Sequence, residues 1–439
     1  MTLDTALPEE SAAERAQSAR PANSPRKVIA ASLIGTTIEF YDFYIFATAA
    51  ALVIGPAFFP SESPGVQTLA AFMSFGIAFI ARPVGSVLFG HFGDRLGRKS
   101  TLVASLLLMG VATVGIGLLP GYASIGVAAP ILLCVLRFCQ GLGIGGEWGG
   151  AALLVTENAP KGRRAWFGMF PQLGPSLGFL LANGMFLVLL LGMSSESFMA
   201  WGWRIPFLVS AVLVFVGLYV RVSLVESEAF LREQAREPVR APLKELLRDH
   251  RRPLLQGTFA MVACYAIFYI TTVFTLNYAT SQLGFDRGGF LAMLCLAIVF
   301  MALATPVSAL ACDRFGRRPV IVSGLCFTLL TGLVLGSLVT SGSTLSMLLF
   351  LCMGLLAMGW IFAPMGALLP ELFPVRVRYT GASAAYNLAG ILGASLAPYA
   401  AQWLVGWGGL QWVGGYVVGM ALLSLVAILS IGETRDRAF

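Results

Sequence analysis

The segment Gly93-Asp94-Arg95-Leu96-Gly97-Arg98-Lys99 returns 219 positions later as Cys312-Asp313-Arg314-Phe315-Gly316-Arg317-Arg318, each time between two long apolar runs. A charge cluster this dense is costly within a bilayer and belongs in water at a membrane face. Its recurrence predicts a duplicated bundle of membrane-spanning helices. A second pair lies close to the same register. Glu157-Asn158-Ala159-Pro160 followed by Arg164 recurs as Glu371-Leu372-Phe373-Pro374 followed by Arg378, an offset of 214.

Composition agrees: 57% of the 439 residues are hydrophobic and only 12% charged. A transmembrane helix needs ~20 apolar residues, and twelve such stretches are legible, near 28–56, 66–90, 100–119, 125–156, 164–192, 200–223, 254–280, 288–311, 320–339, 343–369, 381–405 and 410–431. The expected fold is an all-α membrane protein with twelve transmembrane helices in two six-helix pseudo-repeats. The first bundle covers 26–223 and the second 254–432, with a cytoplasmic linker at 224–253 carrying one or two surface helices. Polar tails at 1–25, expected to be disordered, and 433–439 flank them.

Of the 29 Lys and Arg, 25 fall in segments that share one side if the spans alternate. By the positive-inside rule both termini are then cytoplasmic. The net charge of +7 is thus topology rather than a nucleic-acid footprint. The seven cysteines lie in or at the ends of spans without paired metal-ligand spacing and read as packing residues. No metal or cofactor is expected. Only His91 and His250 exist, both on the cytoplasmic side with no nucleophile beside them, so an enzyme is not expected.

Parallel six-span halves related by an axis along the membrane normal are the plan of the major facilitator superfamily, and the loop motif resembles that superfamily's G-x-x-x-D-R-x-G-R-[KR] signature. Gly90 fits the first copy, and Ala309 stands in its place in the second. In the superfamily such loops latch helices and gate conformational change. The resemblance therefore implies gating roles for Asp94, Arg95, Arg98, Glu157 and Arg164, and for Asp313, Arg314, Arg317, Glu371 and Arg378. It also implies a monomer that acts on a small-molecule substrate in a lipid bilayer.

Ionisable residues at membrane depth concentrate in the first half: Glu39, Asp42, Arg82, Arg137 and Glu147. Such groups usually face a cavity or one another. From the helical rise, Asp42 lies roughly 21 Å from the outer end of its span and Arg137 about 18 Å from the outer end of its own, level within a turn. An aspartate that alternates between an arginine partner and a desolvated state is what proton coupling needs. Asp42 is expected to carry the proton with Arg137 as switching partner, and Glu39, which shares its face at i, i+3, is the second candidate. Arg82 is expected to snorkel toward the interface, with a carboxylate such as Glu147 as an alternative partner. The glycines of the fourth span read as helix-packing positions.

Glu39-Phe40-Tyr41-Asp42, the run Arg137-Phe138-Cys139-Gln140 through Gly149-Gly150, and Gly202-Trp203-Arg204-Ile205-Pro206-Phe207 resemble the metabolite:proton symporter family over residues 28–435. Members take up shikimate, α-ketoglutarate, citrate or proline/betaine. The resemblance implies proton-driven import of a small polar metabolite across the bacterial inner membrane. Tyr41, Tyr44, Arg137, Gln140, Gln172, Tyr265, Tyr269, Trp360 and Asn387 are the expected substrate-binding residues. An organic acid such as shikimate is the first expectation and a zwitterionic osmolyte the alternative. A proton-driven efflux antiporter is a further alternative, favoured by Gly174-Pro175-Ser176-Leu177-Gly178 but lacking that pattern's outer glycines. A transporter-like sensor ranks last.

Overall fold

The computed structural model describes residues 24–61, 64–96, 98–222 and 242–435. Among them every regular element is helical, and twelve helices are long and apolar enough to cross a membrane. Spans 1–6 are Arg26–Ala49, Met73–Gly90, Ser100–Leu118, Ala128–Glu157, Arg164–Gly192 and Gly202–Val222. Spans 7–12 are Arg251–Gln282, Arg287–Phe315, Arg317–Thr340, Thr344–Glu371, Val375–Gly408 and Leu410–Ser430. A short helix, Pro242–Asp249, falls in the expected linker and buries Leu246. Residues 223–241 and both expected tails, apart from 24–25 and 433–435, lie outside the described residues.

Local chemistry sets the ends. The Ser24 side chain caps span 1 by accepting from the Lys27 N–H, and Asp286 caps span 8 by accepting from the Gly289 N–H at 2.8 Å; each satisfies a donor the helix would otherwise orphan. Gly316, with φ of 100°, turns the chain from span 8 into span 9. That left-handed conformation favours glycine, which accounts for the glycine in the second copy of the loop motif.

Packing repeats between the halves. Span 1 lies on spans 5 and 6, span 2 on 4, and span 3 on 4 and 6; likewise span 7 lies on 11 and 12, span 8 on 10, and span 9 on 10 and 12. The halves meet where span 5 packs on span 8 and span 11 on span 2, as a two-fold pseudo-axis along the membrane normal requires. A π-helical turn, Ala50–Ile54, follows span 1, another lies at the equivalent place within span 7, Ile270–Phe274, and a third, Ile391–Ser395, interrupts span 11. Such turns widen a helix locally and recur at functional sites. Large apolar side chains such as Val188, Leu191, Phe215, Leu333 and Leu345 cover the outside, the surface a lipid-facing bundle needs.

Candidate functional site

Span 1 carries Glu39 and Asp42 one turn apart, yet the two carboxylates have different surroundings. Asp42 turns into the first bundle, where Oδ1 accepts from the Ser210 hydroxyl at 2.5 Å and Oδ2 from the Thr113 hydroxyl at 3.0 Å. Arg137 does not pair with it. Its guanidinium donates to Gln140 Oε1 at 2.6 Å and to the Phe75 carbonyl at 3.4 Å, and lies 3.8 Å from the centre of the Phe46 ring. Gln140 in turn donates to the Thr113 oxygen at 2.6 Å. The expected Asp42–Arg137 ion pair is therefore replaced by a chain through Gln140 and Thr113. Depth was estimated from rise alone, and rotation about the helix axis points Asp42 at spans 3 and 6 and Arg137 between spans 1 and 2.

Glu39 is 1% exposed, and neither carboxylate oxygen has a hydrogen-bond partner among the described residues. Arg82 is 2% exposed, with Nε and Nη2 likewise unpartnered among the described residues. Its guanidinium lies 4.4 Å from the centre of the Phe43 ring and 4.3 Å from that of Phe79. The expected snorkel is thus corrected. Helical side chains lean toward their own N-terminus, and span 2 begins at the face opposite the termini, so the Arg82 stem leans away from the nearer interface. Gly145 of span 4 lies directly on the Arg82 carbonyl, where a Cβ would collide; the small residue lets spans 2 and 4 close at this level.

Glu147 pairs with Arg221, not Arg82. Arg221, one of the 25 same-side cations by sequence, is 4% exposed at the end of span 6, where it also donates to the Leu102 carbonyl at 2.7 Å. The signal for it was only its place at the margin of an apolar run. Arg204, by contrast, donates to the Gly117 and Leu119 carbonyls at 2.9 and 2.7 Å. It satisfies carbonyls at the C-terminus of span 3.

The second half offers neutral groups to this site. Tyr386 stacks on Trp148 with ring centres 4.1 Å apart, and Tyr265 meets Tyr386 edge to face at 5.5 Å; neither hydroxyl has a hydrogen-bond partner among the described residues. Asn387 donates to the Gly145 carbonyl at 3.0 Å. The Arg82 charge acts on Glu39, Tyr44, Tyr265, Tyr269 and Tyr386, so these groups surround one small region between the halves.

That region is shut off on both sides. Toward the face opposite the termini lies a cavity lined by Tyr44, Asn183, Phe268, Tyr269, Asn277 and Arg287, among others. Its inner end is aromatic: Tyr44 packs on Phe179 and Phe268 at 5.2 and 5.8 Å, and Tyr269 on Phe79 at 5.7 Å. Toward the termini face, the Asp313 carboxylate accepts from the Ala165 and Trp166 N–H groups at 3.0 and 2.9 Å. A carboxylate at a helix N-terminus is favourable, and here it ties the second half to span 5. Arg317 bridges Asp313 and Glu371 at 3.2 and 3.0 Å, and Arg164 lies 3.8 Å from Glu371. Arg314 accepts from Arg435 through its carbonyl, and Arg378 donates to the Phe373 carbonyl. Gln172 donates to the Phe362 carbonyl at 2.9 Å and accepts from Trp148, and Tyr379 donates to the Gly146 carbonyl. Thr434 donates to Glu371 at 2.6 Å. Partial burial raises the pKa of the Glu433 carboxyl, but backbone N–H groups of Arg317, Arg318, Arg435 and Thr434 outweigh it and hold the group below the usual glutamate range. The side chains of Asp94, Arg95 and Arg98 lie outside the described residues.

The profile of a family described as "Sugar (and other) transporter" matches residues 27–249, and that of the "Major Facilitator Superfamily" matches residues 258–438. The chain belongs to the major facilitator superfamily. It is 54% identical over 424 residues to the Escherichia coli K12 inner membrane metabolite transport protein YhjE, covering 95% of this chain and 96% of that one. It is 37% identical to the E. coli K12 shikimate transporter (93% and 95% covered) and 32% to the Salmonella typhimurium proline/betaine transporter (94% and 84% covered). The solved proton:xylose symporter XylE, with 6-bromo-6-deoxy-D-glucose bound, shares the major facilitator fold at a TM-score of 0.78 and 17% identity over 93% of this chain and 96% of that one. This is a multi-pass membrane transporter of small molecules and not an enzyme.

Two expected substrate contacts move off the transporter's central region. The Tyr41 hydroxyl donates to the Pro206 carbonyl at 2.8 Å inside the first bundle. Trp360 donates to the Val320 carbonyl and Ser323 hydroxyl at 3.1 Å, against span 9. Tyr44 and Tyr269 line the cavity, whereas Gln140 and Arg137 belong to the Asp42 chain. Arg82 is the central residue that the sequence placed at the interface instead.

Proposed function

We propose that this chain is a proton-coupled symporter that imports a small organic acid by alternating access. It acts as a monomer in a bacterial inner membrane with both termini cytoplasmic. The observation that carries this reading is the buried Glu39 carboxyl, free of protein partners and within the field of Arg82 between the two halves. A group that loads and releases a proton must have no permanent ligand. Glu39 meets that condition, and Asp42, held by two hydroxyls, meets it less well; Glu39 therefore takes the coupling role first and Asp42 second. The 37% identical shikimate transporter supports an organic acid as substrate.

In the cycle, solute enters from the periplasmic cavity and the aromatic layer of Tyr44, Phe268 and Tyr269 parts to admit it. Asp313, Arg317 and Glu371 hold the cytoplasmic side closed meanwhile. With substrate and proton loaded, the aromatic layer closes and that latch releases.

A second reading, a zwitterionic osmolyte, is favoured by the same aromatic layer, since ring faces attract quaternary ammonium groups. Uptake into proteoliposomes decides between them. Under an acid-outside gradient, labelled shikimate is expected to accumulate and a protonophore to abolish the accumulation. Accumulation of glycine betaine in place of shikimate would move the substrate to the second reading. Equilibration of both, unaffected by protonophore, would remove proton coupling.

A further inference from the structure

We propose that Arg82, rather than Arg137, receives the carboxylate of the substrate, and that the site takes a monoanion together with one proton so that transport is electroneutral. The inference rests on the symport reading above and goes further by fixing the anchor and the charge carried.

Among the described residues of the first half, three cations and three carboxylates are buried, and their partners separate them. Arg221 is bonded to Glu147. Arg137 is engaged by Gln140 and the Phe75 carbonyl and linked through Thr113 to Asp42. Arg82 remains, with two nitrogens of its fork unpartnered and two aromatic rings against it. A guanidinium in this state is a built receptor for a planar carboxylate, because its fork matches two oxygens at once. Its position is fixed from behind by the contact of Gly145 with the Arg82 backbone.

The titratable and charged groups within the field of Arg82 are Glu39 and Tyr44 on span 1, Arg137 on span 4, Tyr265 and Tyr269 on span 7, and Tyr386 on span 11. Glu39 also lies within the field of Glu147 and Arg221. With Glu39 protonated and Asp42 and Glu147 ionised beside their partners, the remaining buried groups of the first half carry one net positive charge, held on Arg82, and a single carboxylate neutralises it. The proton on Glu39 and the anion on Arg82 then cross together with no net charge moved. A dianion would leave a buried negative charge uncompensated. A zwitterion would bring an ammonium group next to Arg82.

The test uses full-length protein in proteoliposomes with shikimate as probe. A pH gradient alone is expected to drive accumulation toward ~10-fold per pH unit. An imposed potassium–valinomycin potential alone is expected to leave uptake unchanged, whereas movement of one net charge would yield about 50-fold per 100 mV. Shikimate methyl ester, the same ring without the carboxylate charge, is expected not to compete. Arg82→Gln is expected to weaken shikimate binding at least ~30-fold, with Arg82→Lys in between and thermal unfolding of both near that of the wild type. Potential-driven uptake overturns the charge balance. Equal competition by the ester, undiminished binding by a folded Arg82→Gln protein, or absence of shikimate binding to wild type overturns the anchor. Should Arg82→Gln not fold, the ester and potential measurements on wild type still decide. Arg82-dependent binding without any pH-driven uptake would instead sink the symport reading while leaving the anchor in place.

Discussion

Where span 2 crosses span 4, Gly145 sits on the carbonyl of Arg82; where span 8 crosses span 10, Gly359 sits on the carbonyl of Met301. The offsets, 214 for the glycines and 219 for their partners, are those of the two repeated motifs, so these are one crossing in two copies. The backbone contact was kept and the side chain was not. The same offset sets Leu351 against Arg137 and Ile361 against Glu147. One half holds the charge buried at mid-membrane depth, and its copy supplies an apolar wall there plus the tyrosines of spans 7 and 11, its own buried charges lying at the termini face. Duplication explains the shape they share, and the substitutions at matched positions explain why the chemistry is one-sided.

Forcing the second half to resemble the first is expected to produce the largest effect. Met301 is fully buried, and Met301→Arg would place an uncompensated charge there at a cost of about 3–5 kcal/mol. The expected outcome is loss of monodisperse protein on size-exclusion chromatography; a well-folded variant with normal uptake would break the comparison.

Gly145→Leu and Gly359→Leu should each destabilise by about 1–3 kcal/mol through overpacking, seen as similar falls in the thermal midpoint. Only the shared crossing is being tested here, so a large difference between the two would show that the crossings are not equivalent. Tyr386→Phe removes one unpartnered neutral hydroxyl from the central region and is expected to weaken shikimate binding about 5-fold, with the pH dependence of uptake unchanged. A shifted pH profile would place coupling partly in the second half.

The smallest effect belongs to the latch at the termini face. Because Glu433 is held below the usual glutamate range, its contribution to the closed latch is present at neutral pH and is lost as pH falls through that lowered value. Glu433→Gln should mimic the loss. Spin labels on spans 5 and 8 at that face should report a wider distance distribution in the variant, and acidification should widen the wild type but not the variant. A variant distribution identical to wild type would remove Glu433 from the latch.

Much of this architecture was legible in the chain, since apolar run length and the two motif pairs depend on composition and spacing alone. The second loop copy was also readable: Asp313 and Arg317 lie at a helix junction whose glycine turn and charge order have direct structural causes. Azimuth was not readable. Each residue turns a helix by about 100°, so an error of one residue in a span boundary leaves depth nearly right and direction wrong. That is why Asp42 and Arg137 were placed level but not turned apart. Arg221 was hidden for another reason. An arginine at the margin of a span looks like an interfacial anchor until the partner Glu147, on a helix 74 residues away in sequence, is brought to it by folding. For Arg82 the distance to water favours a snorkel, and only the folded structure shows the rings of Phe43 and Phe79 against its guanidinium.

The central claim is that the proton step sits on Glu39, in the half that kept its charges. It is tested most directly by comparing Glu39→Gln with Asp42→Asn in proteoliposomes, measuring both pH-driven accumulation and exchange of labelled shikimate at equal pH. The account predicts that Glu39→Gln exchanges but does not accumulate, while Asp42→Asn retains accumulation. Normal pH-driven accumulation by Glu39→Gln would contradict it.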